Sequence, residues 1–85
     1  MGYLEKSVQL NPGYATAQNI LGLTYDQLRQ YSQAVESFKN AIENEKRSTR
    51  KGQYYYRLGT VLIKTQQYQQ AQEALENALK LSKNS

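Results

Sequence analysis

The stretches Leu21-Gly22-Leu23-Thr24-Tyr25 and Tyr31-Ser32-Gln33-Ala34-Val35-Glu36-Ser37-Phe38-Lys39-Asn40-Ala41 return, in altered form, farther along the chain. A shift of 37 residues superposes Leu21-Gly22 on Leu58-Gly59, Gln30-Tyr31 on Gln67-Tyr68 and Gln33-Ala34 on Gln70-Ala71. The same shift pairs Glu36 with Glu73 and Asn40-Ala41 with Asn77-Ala78. Identities at glycine and small-residue positions over one fixed period mark a duplicated unit.

Each unit reads as two helices. Ala17, Leu21, Tyr25 and Leu28 recur at spacings of four, four and three, the apolar stripe of an amphipathic helix. Pro12-Gly13 precedes this stripe and punctuates the chain. A second stripe runs through Tyr31, Ala34, Val35, Phe38, Ala41 and Ile42. The second unit carries Tyr54, Leu58, Val61, Leu62 and Thr65, then Tyr68, Ala71, Leu75, Ala78 and Leu79. No segment alternates apolar and polar residues as a half-buried strand does, so the chain is expected to be all-α. A glycine within a helix costs about 1 kcal/mol relative to alanine, so Gly22 and Gly59 need a reason. Close approach of the partner helix supplies it, with Ala34, Ala41, Ala71 and Ala78 completing the seam and Phe38 buried. Tyr31 and Tyr68 fall at the turns, where the ring is expected to pack inward with its hydroxyl wet.

Composition narrows the chemistry. Of 85 residues, 39% are apolar, eight of them tyrosine, and Leu, Ile, Val and Phe number only 17. The formal charge of +4 is too modest to hold such a chain disordered, so a thin, elongated fold is expected. Without cysteine or histidine there is no thiolate, no disulfide, and no imidazole base or ligand. Glu73 and Glu76 share a helix face at a spacing of three, the pattern of a solvated surface. No glycine-rich phosphate loop is present. The chain is read as a non-enzyme with no cofactor and no metal. Met1 to Lys6 carries charges where a signal peptide needs an apolar stretch, so none is expected there, and with no apolar run of membrane-spanning length a soluble, by default cytoplasmic, protein is expected.

The pattern Leu21-Gly22-x-x-Tyr25, Tyr31-x-x-Ala34-x-x-x-Phe38-x-x-Ala41 resembles the tetratricopeptide repeat. Its second copy is Leu58-Gly59-x-x-Leu62, Tyr68-x-x-Ala71-x-x-x-Leu75-x-x-Ala78. Tyr55 occupies a place where the family often has tryptophan, and Gln18 departs from that preference. Tyr3 to Pro12 resembles the second helix of a preceding repeat, ending in the family's closing proline. The resemblance implies antiparallel helix pairs stacked into a right-handed superhelix. Residues 1–12 are then the end of a truncated repeat, 13–48 the first full repeat and 49–85 the second. The family period is 34, so three extra residues fall within Glu45 to Lys51, by a longer helix or a longer loop. With no polar closing helix, the chain reads as a piece of a longer repeat protein.

The resemblance also implies a binding face. The first helix of each repeat lines a concave groove that holds peptides. By motif alignment this groove takes Thr16, Asn19, Ile20, Leu23, Asp26 and Gln27 from the first repeat. The second contributes Gln53, Tyr56, Arg57, Thr60, Ile63 and Lys64. Tyr56 and Arg57 are residue types enriched in binding hot spots. The lysine, asparagine and arginine set with which some members grip chaperone tails is matched only at Arg57, with Gln53 and Ile20 at the other positions, so that ligand is not expected.

The leading expectation is a protein–protein interaction module binding a peptide segment of a partner in the groove. One alternative is a structural solenoid segment, or self-association as a homodimer through uncapped ends at Leu4, Val8, Leu75, Leu79 and Leu81. Another is a nucleic-acid or acidic-partner contact through the run Lys46-Arg47-Ser48-Thr49-Arg50-Lys51. Glu43 and Glu45 adjoin that run, and no matching basic stripe recurs on the other helices. The run is therefore read as a solvated connection, with nucleic acid not favoured.

Overall fold

A computed structural model describes residues 12–83 of the chain. They form the helices α1 (Pro12–Gln27), α2 (Tyr31–Asn44), α3 (Ser48–Lys64) and α4 (Tyr68–Lys83), with no strand among the described residues. The expected helix of a preceding repeat, 1–12, lies outside them except for Pro12, which opens α1. Proline suits that first position because its fixed φ is already helical and its missing N–H would have had no intrahelical acceptor.

Helices consecutive in sequence pack side by side, α1 on α2, α2 on α3 and α3 on α4. The turn within each pair is three residues long and has the same geometry twice. Arg29 (φ 63°) and Gln66 (φ 65°) adopt the left-handed conformation, one period apart. The next amide then reaches back across the last helical turn: Gln30 N–H to the Tyr25 carbonyl at 2.8 Å, and Gln67 N–H to the Leu62 carbonyl at 2.9 Å. These bonds satisfy carbonyls that the helix ends would leave open. The three residues beyond the 34-residue period do not lengthen α2, which ends at Asn44. The connection 45–47 is as short as the turns within the pairs and α3 already begins at Ser48, so the extra residues enter the opening turn of α3, and neither the longer second helix nor the longer loop is found.

Burial follows the period only where a neighbouring helix covers the residue. Ala34, Phe38 and Ala41 of α2 and Leu58, Val61 and Leu62 of α3 form the centre of the core, with Ala71 and Ala74 of α4 against them. The expected α1 stripe needs correction. Ala17, Leu21 and Leu28 are exposed and Tyr25 is half-buried. Leu21 is 39% exposed, whereas Leu58, its equivalent one period on, is 5% exposed. The difference is the presence of α2 in front of α3; no described helix stands in front of α1.

Tyr68 is likewise exposed, contrary to expectation, while Tyr31 packs against the core with the Lys64 ammonium 5.8 Å above its ring. The glycines do permit close approach, most tightly against the side chains of Phe38 and Leu75, with the Ala71 carbonyl next at 3.4 Å from a Cβ on Gly59. A Cβ on Gly22 would lie 2.7–2.9 Å from three ring atoms of Phe38, and one on Gly59 would lie 2.7 Å from Leu75 Cγ and Cδ2. Phe38 and Leu75 are equivalents one period apart. Gly52, two turns before Gly59, repeats the device nearer the end of the pair, with the Ala78 carbonyl and Leu81 Cβ both at 3.3 Å.

Candidate interaction face

The residues expected along the groove divide between two clefts. Thr16 and Asn19 of α1 and Gln53 of α3 line a cleft of about 640 Å³ between the two helices. Arg50, from the first turn of α3, spans it and donates from Nη1 to Thr16 Oγ1 at 3.4 Å. At the other end of these helices, Lys64 Nζ donates to both Asp26 carboxylate oxygens, at 3.0 and 3.2 Å. The Lys64 side chain is 47% exposed, so this pair is screened by water and contributes under about 1 kcal/mol. Its effect is to tie the α1 end of the first pair to the α3 end of the second.

Tyr56 and Arg57 lie elsewhere. With Gln53 they line a second cleft of about 740 Å³, between α3 and α4, floored by Leu75, Ala78 and Leu79. Gln53 therefore stands between the two clefts, and Tyr56 with Arg57 does not meet Thr16 and Asn19 in one of them. Tyr56 is 59% exposed. Ile20 and Ile63 are exposed and so are not sealing one described helix pair against the other. Leu23 does pack against the core. Gln27 is exposed, and Thr60, half-buried, bonds the Arg57 carbonyl at 2.7 Å.

Two models of the tetratricopeptide repeat match the chain, one over residues 15–47 and the other over residues 52–85. The chain belongs to the tetratricopeptide repeat family. No curated protein matches it at a significant level. Tetratricopeptide repeats generally serve as protein–protein interaction modules, typically as non-enzymatic scaffolds, and generally bind protein partners. No described helix is long and apolar enough to cross a membrane.

The tetratricopeptide matches leave residues 48–51 outside both repeats. Those residues, with Arg47, supply side chains to the α1–α3 cleft that the groove alignment did not include: Arg47, Thr49 and Arg50. The signal available in the sequence was the basic run itself, which reads as a block of charge until the fold separates its members. Tyr54 completes this cleft from the core side and is held by Glu45, whose Oε1 accepts from the Tyr54 hydroxyl at 3.5 Å. The other oxygen of Glu45 accepts from the Arg47 N–H at 3.1 Å. Glu45 thus turns inward at the connection and fixes where α3 begins.

Proposed function

We propose that this pair of tetratricopeptide repeats binds a peptide segment of a protein partner along α3, anchored at its cleft with α4 and extending towards α1. The observation that carries the reading is the position of Tyr56. It projects largely into solvent beside Arg57, over a cleft whose floor is Leu75, Ala78 and Leu79. An exposed ring over an apolar floor, with a guanidinium next to it, is the composition in which binding energy concentrates. Thr16, Asn19, Ile20, Gln27, Gln53, Thr60 and Lys64 extend the face as polar and apolar contacts around that anchor. Leu23 contributes mainly to packing.

The test uses a random peptide library displayed on phage and selected on the whole chain, with the Tyr56→Ala, Arg57→Glu double variant as counter-target. Circular dichroism checks that the two proteins are equally helical. Peptides retained by the wild type and lost on the variant support the reading. Equal retention, or no enrichment on either protein, refutes it.

A second reading rests on α4. Leu79 is 58% exposed, while Ile42, its equivalent on α2, is 8% exposed beneath α3. This unpaired face favours another helix packing there, from a continuing solenoid or a second copy, with the repeats divided as 13–48 and 49–85. Sedimentation of the chain and of Leu79→Glu tests self-association. A concentration-dependent dimer abolished by the substitution supports it, and a monomer at all concentrations refutes it.

A further inference from the structure

We infer that α1 of a second copy of this chain docks on the groove between α3 and α4, so that copies stack head to tail. The inference rests on the α4 reading above and names the occupant of that face.

The chain contains an internal example of the interface. There α3 packs on α2 and reaches α1 through Arg50 and Lys64. A shift of one period shows that both halves of the same interface stand open elsewhere. Tyr54, Leu58 and Val61 of α3 are buried, whereas their equivalents on α1, Ala17, Leu21 and Thr24, are all exposed. Phe38 and Ile42 of α2 are buried, whereas Leu75 of α4 is half-buried and Leu79 exposed. Apolar surface left open on two such faces favours association.

The polar residues select α1 of a copy as the occupant, because the two open faces differ from the internal pair in matched ways. Lys64 pairs with Asp26 at 3.0 Å across the internal interface. Its equivalent on α1 is Gln27, and the equivalent of Asp26 in the α3–α4 groove is Ile63. The cation and its carboxylate are thus absent together, whereas a copy of α3 in that groove would carry Lys64 against Ile63 with no counter-ion. Arg50, which reaches Thr16, likewise has Gly13 as its equivalent on α1, opposite Gln53. Bulk is exchanged in the same manner. Tyr54 of α3 and Asn19 of α1 line one internal cleft, and the shifted pair is Ala17 opposite Tyr56. The small residue of the incoming helix leaves room for the exposed tyrosine ring. Arg57 stays in water in this arrangement, since its equivalent Ile20 is 56% exposed with α3 in place.

The two faces are unlike, so the contact is heterologous and does not close on itself. It covers Leu75, Ala78 and Leu79, the floor of the Tyr56 cleft, so a second copy and a bound peptide exclude one another there.

Sedimentation of the full chain and of the variants Leu21→Glu and Leu79→Glu, alone and mixed, tests this. Both positions are exposed, and circular dichroism verifies that the variants remain helical. The wild-type chain is expected to pass beyond a dimer as concentration rises. Each variant alone should associate at least about tenfold more weakly, because it carries a carboxylate into an apolar contact. Mixed in equal amounts, the variants should form a dimer and nothing larger, since each keeps the face that the other has lost. A dimer that Leu79→Glu abolishes and Leu21→Glu leaves intact overturns the proposal in favour of α4 against α4, with the α4 reading standing. Assembly that survives both substitutions, or a mixture that stays monomeric, overturns it as well. A wild-type monomer at all concentrations overturns both the proposal and the α4 reading. Leu4 and Val8 stand 34 residues before Phe38 and Ile42, which makes residues 1–11 the rival occupant for the front of α1. A lowered unfolding midpoint of a monomeric Leu4→Glu variant would then assign that face to them.

Discussion

The ring of Phe38 lies against the backbone of Gly22 so closely that a Cβ on that glycine would sit 2.7 Å from Cε1. Phe38 is 0% exposed and enclosed on every side, so the ring cannot give way. The helix-propensity gain of about 1 kcal/mol for Gly22→Ala is therefore outweighed by overpacking, which costs about 1–3 kcal/mol once the strain exceeds that gain. Denaturant unfolding of Gly22→Ala should show a net destabilisation of up to about 2 kcal/mol. Gly59→Ala meets the far atoms of Leu75, a half-buried side chain that can change rotamer, and should lose less. A midpoint for Gly22→Ala at or above wild type would dismiss the close-packing argument.

Phe38 and Leu75 occupy equivalent positions one period apart, yet their contexts differ. Phe38→Ala empties a fully enclosed site and should cost on the order of 3–5 kcal/mol. Leu75 is half-buried, facing the cleft beside Tyr56, and Leu75→Ala should cost about 1–2 kcal/mol, below the range for enclosed leucines. Thermal melts of the two variants side by side check the order. Equal losses would mean that α4 is covered in solution by a further element.

The repeat, the helix pairs and the glycine seam were legible because each leaves a mark at a fixed offset: Gly22 with Gly59, Ala34 with Ala71. What the sequence does not carry is which apolar stripe has something in front of it. Leu21 and Leu58 have the same neighbours in the pattern, and only the placement of α2 separates an exposed leucine from a buried one. The turn residues Arg29 and Gln66 are similarly silent, since neither is a glycine that would announce a left-handed conformation. The candidate groove was read as one surface because alignment orders residues along helices. Asn19 and Tyr56 line different clefts on the two sides of α3, and the basic run shows its two cleft arginines only after folding.

Glu45 is the buried carboxylate of the inter-repeat connection, accepting from the Arg47 amide and the Tyr54 hydroxyl. Glu45→Ala leaves that buried hydroxyl without its acceptor and unties the start of α3, at a cost of about 1–3 kcal/mol. Glu45→Gln keeps an acceptor oxygen and should recover most of the loss. The Tyr54 contact is long at 3.5 Å, so Tyr54→Phe should cost under about 1 kcal/mol. Urea midpoints of the three variants decide the matter. A Glu45→Ala variant as stable as wild type would show that the connection is held by packing alone.

Arg29 and Gln66 each hold φ near +64° at the end of a helix, with exposed side chains. For a residue with a Cβ this conformation costs roughly 1–2 kcal/mol, while glycine adopts it freely. Glycine brings an opposing cost of about 0.5–1 kcal/mol, because its unfolded chain has more freedom to lose. The first term is the larger, so Arg29→Gly and Gln66→Gly should each stabilise the fold by about 0.5–1 kcal/mol. The capping bonds from Gln30 and Gln67 use backbone atoms only and survive both changes. Conversely, Arg29→Val, a β-branched residue in the same conformation, should destabilise by more than either glycine stabilises. Unfolding midpoints that fall in the glycine variants would mean that the left-handed turns are not the conformation held in solution.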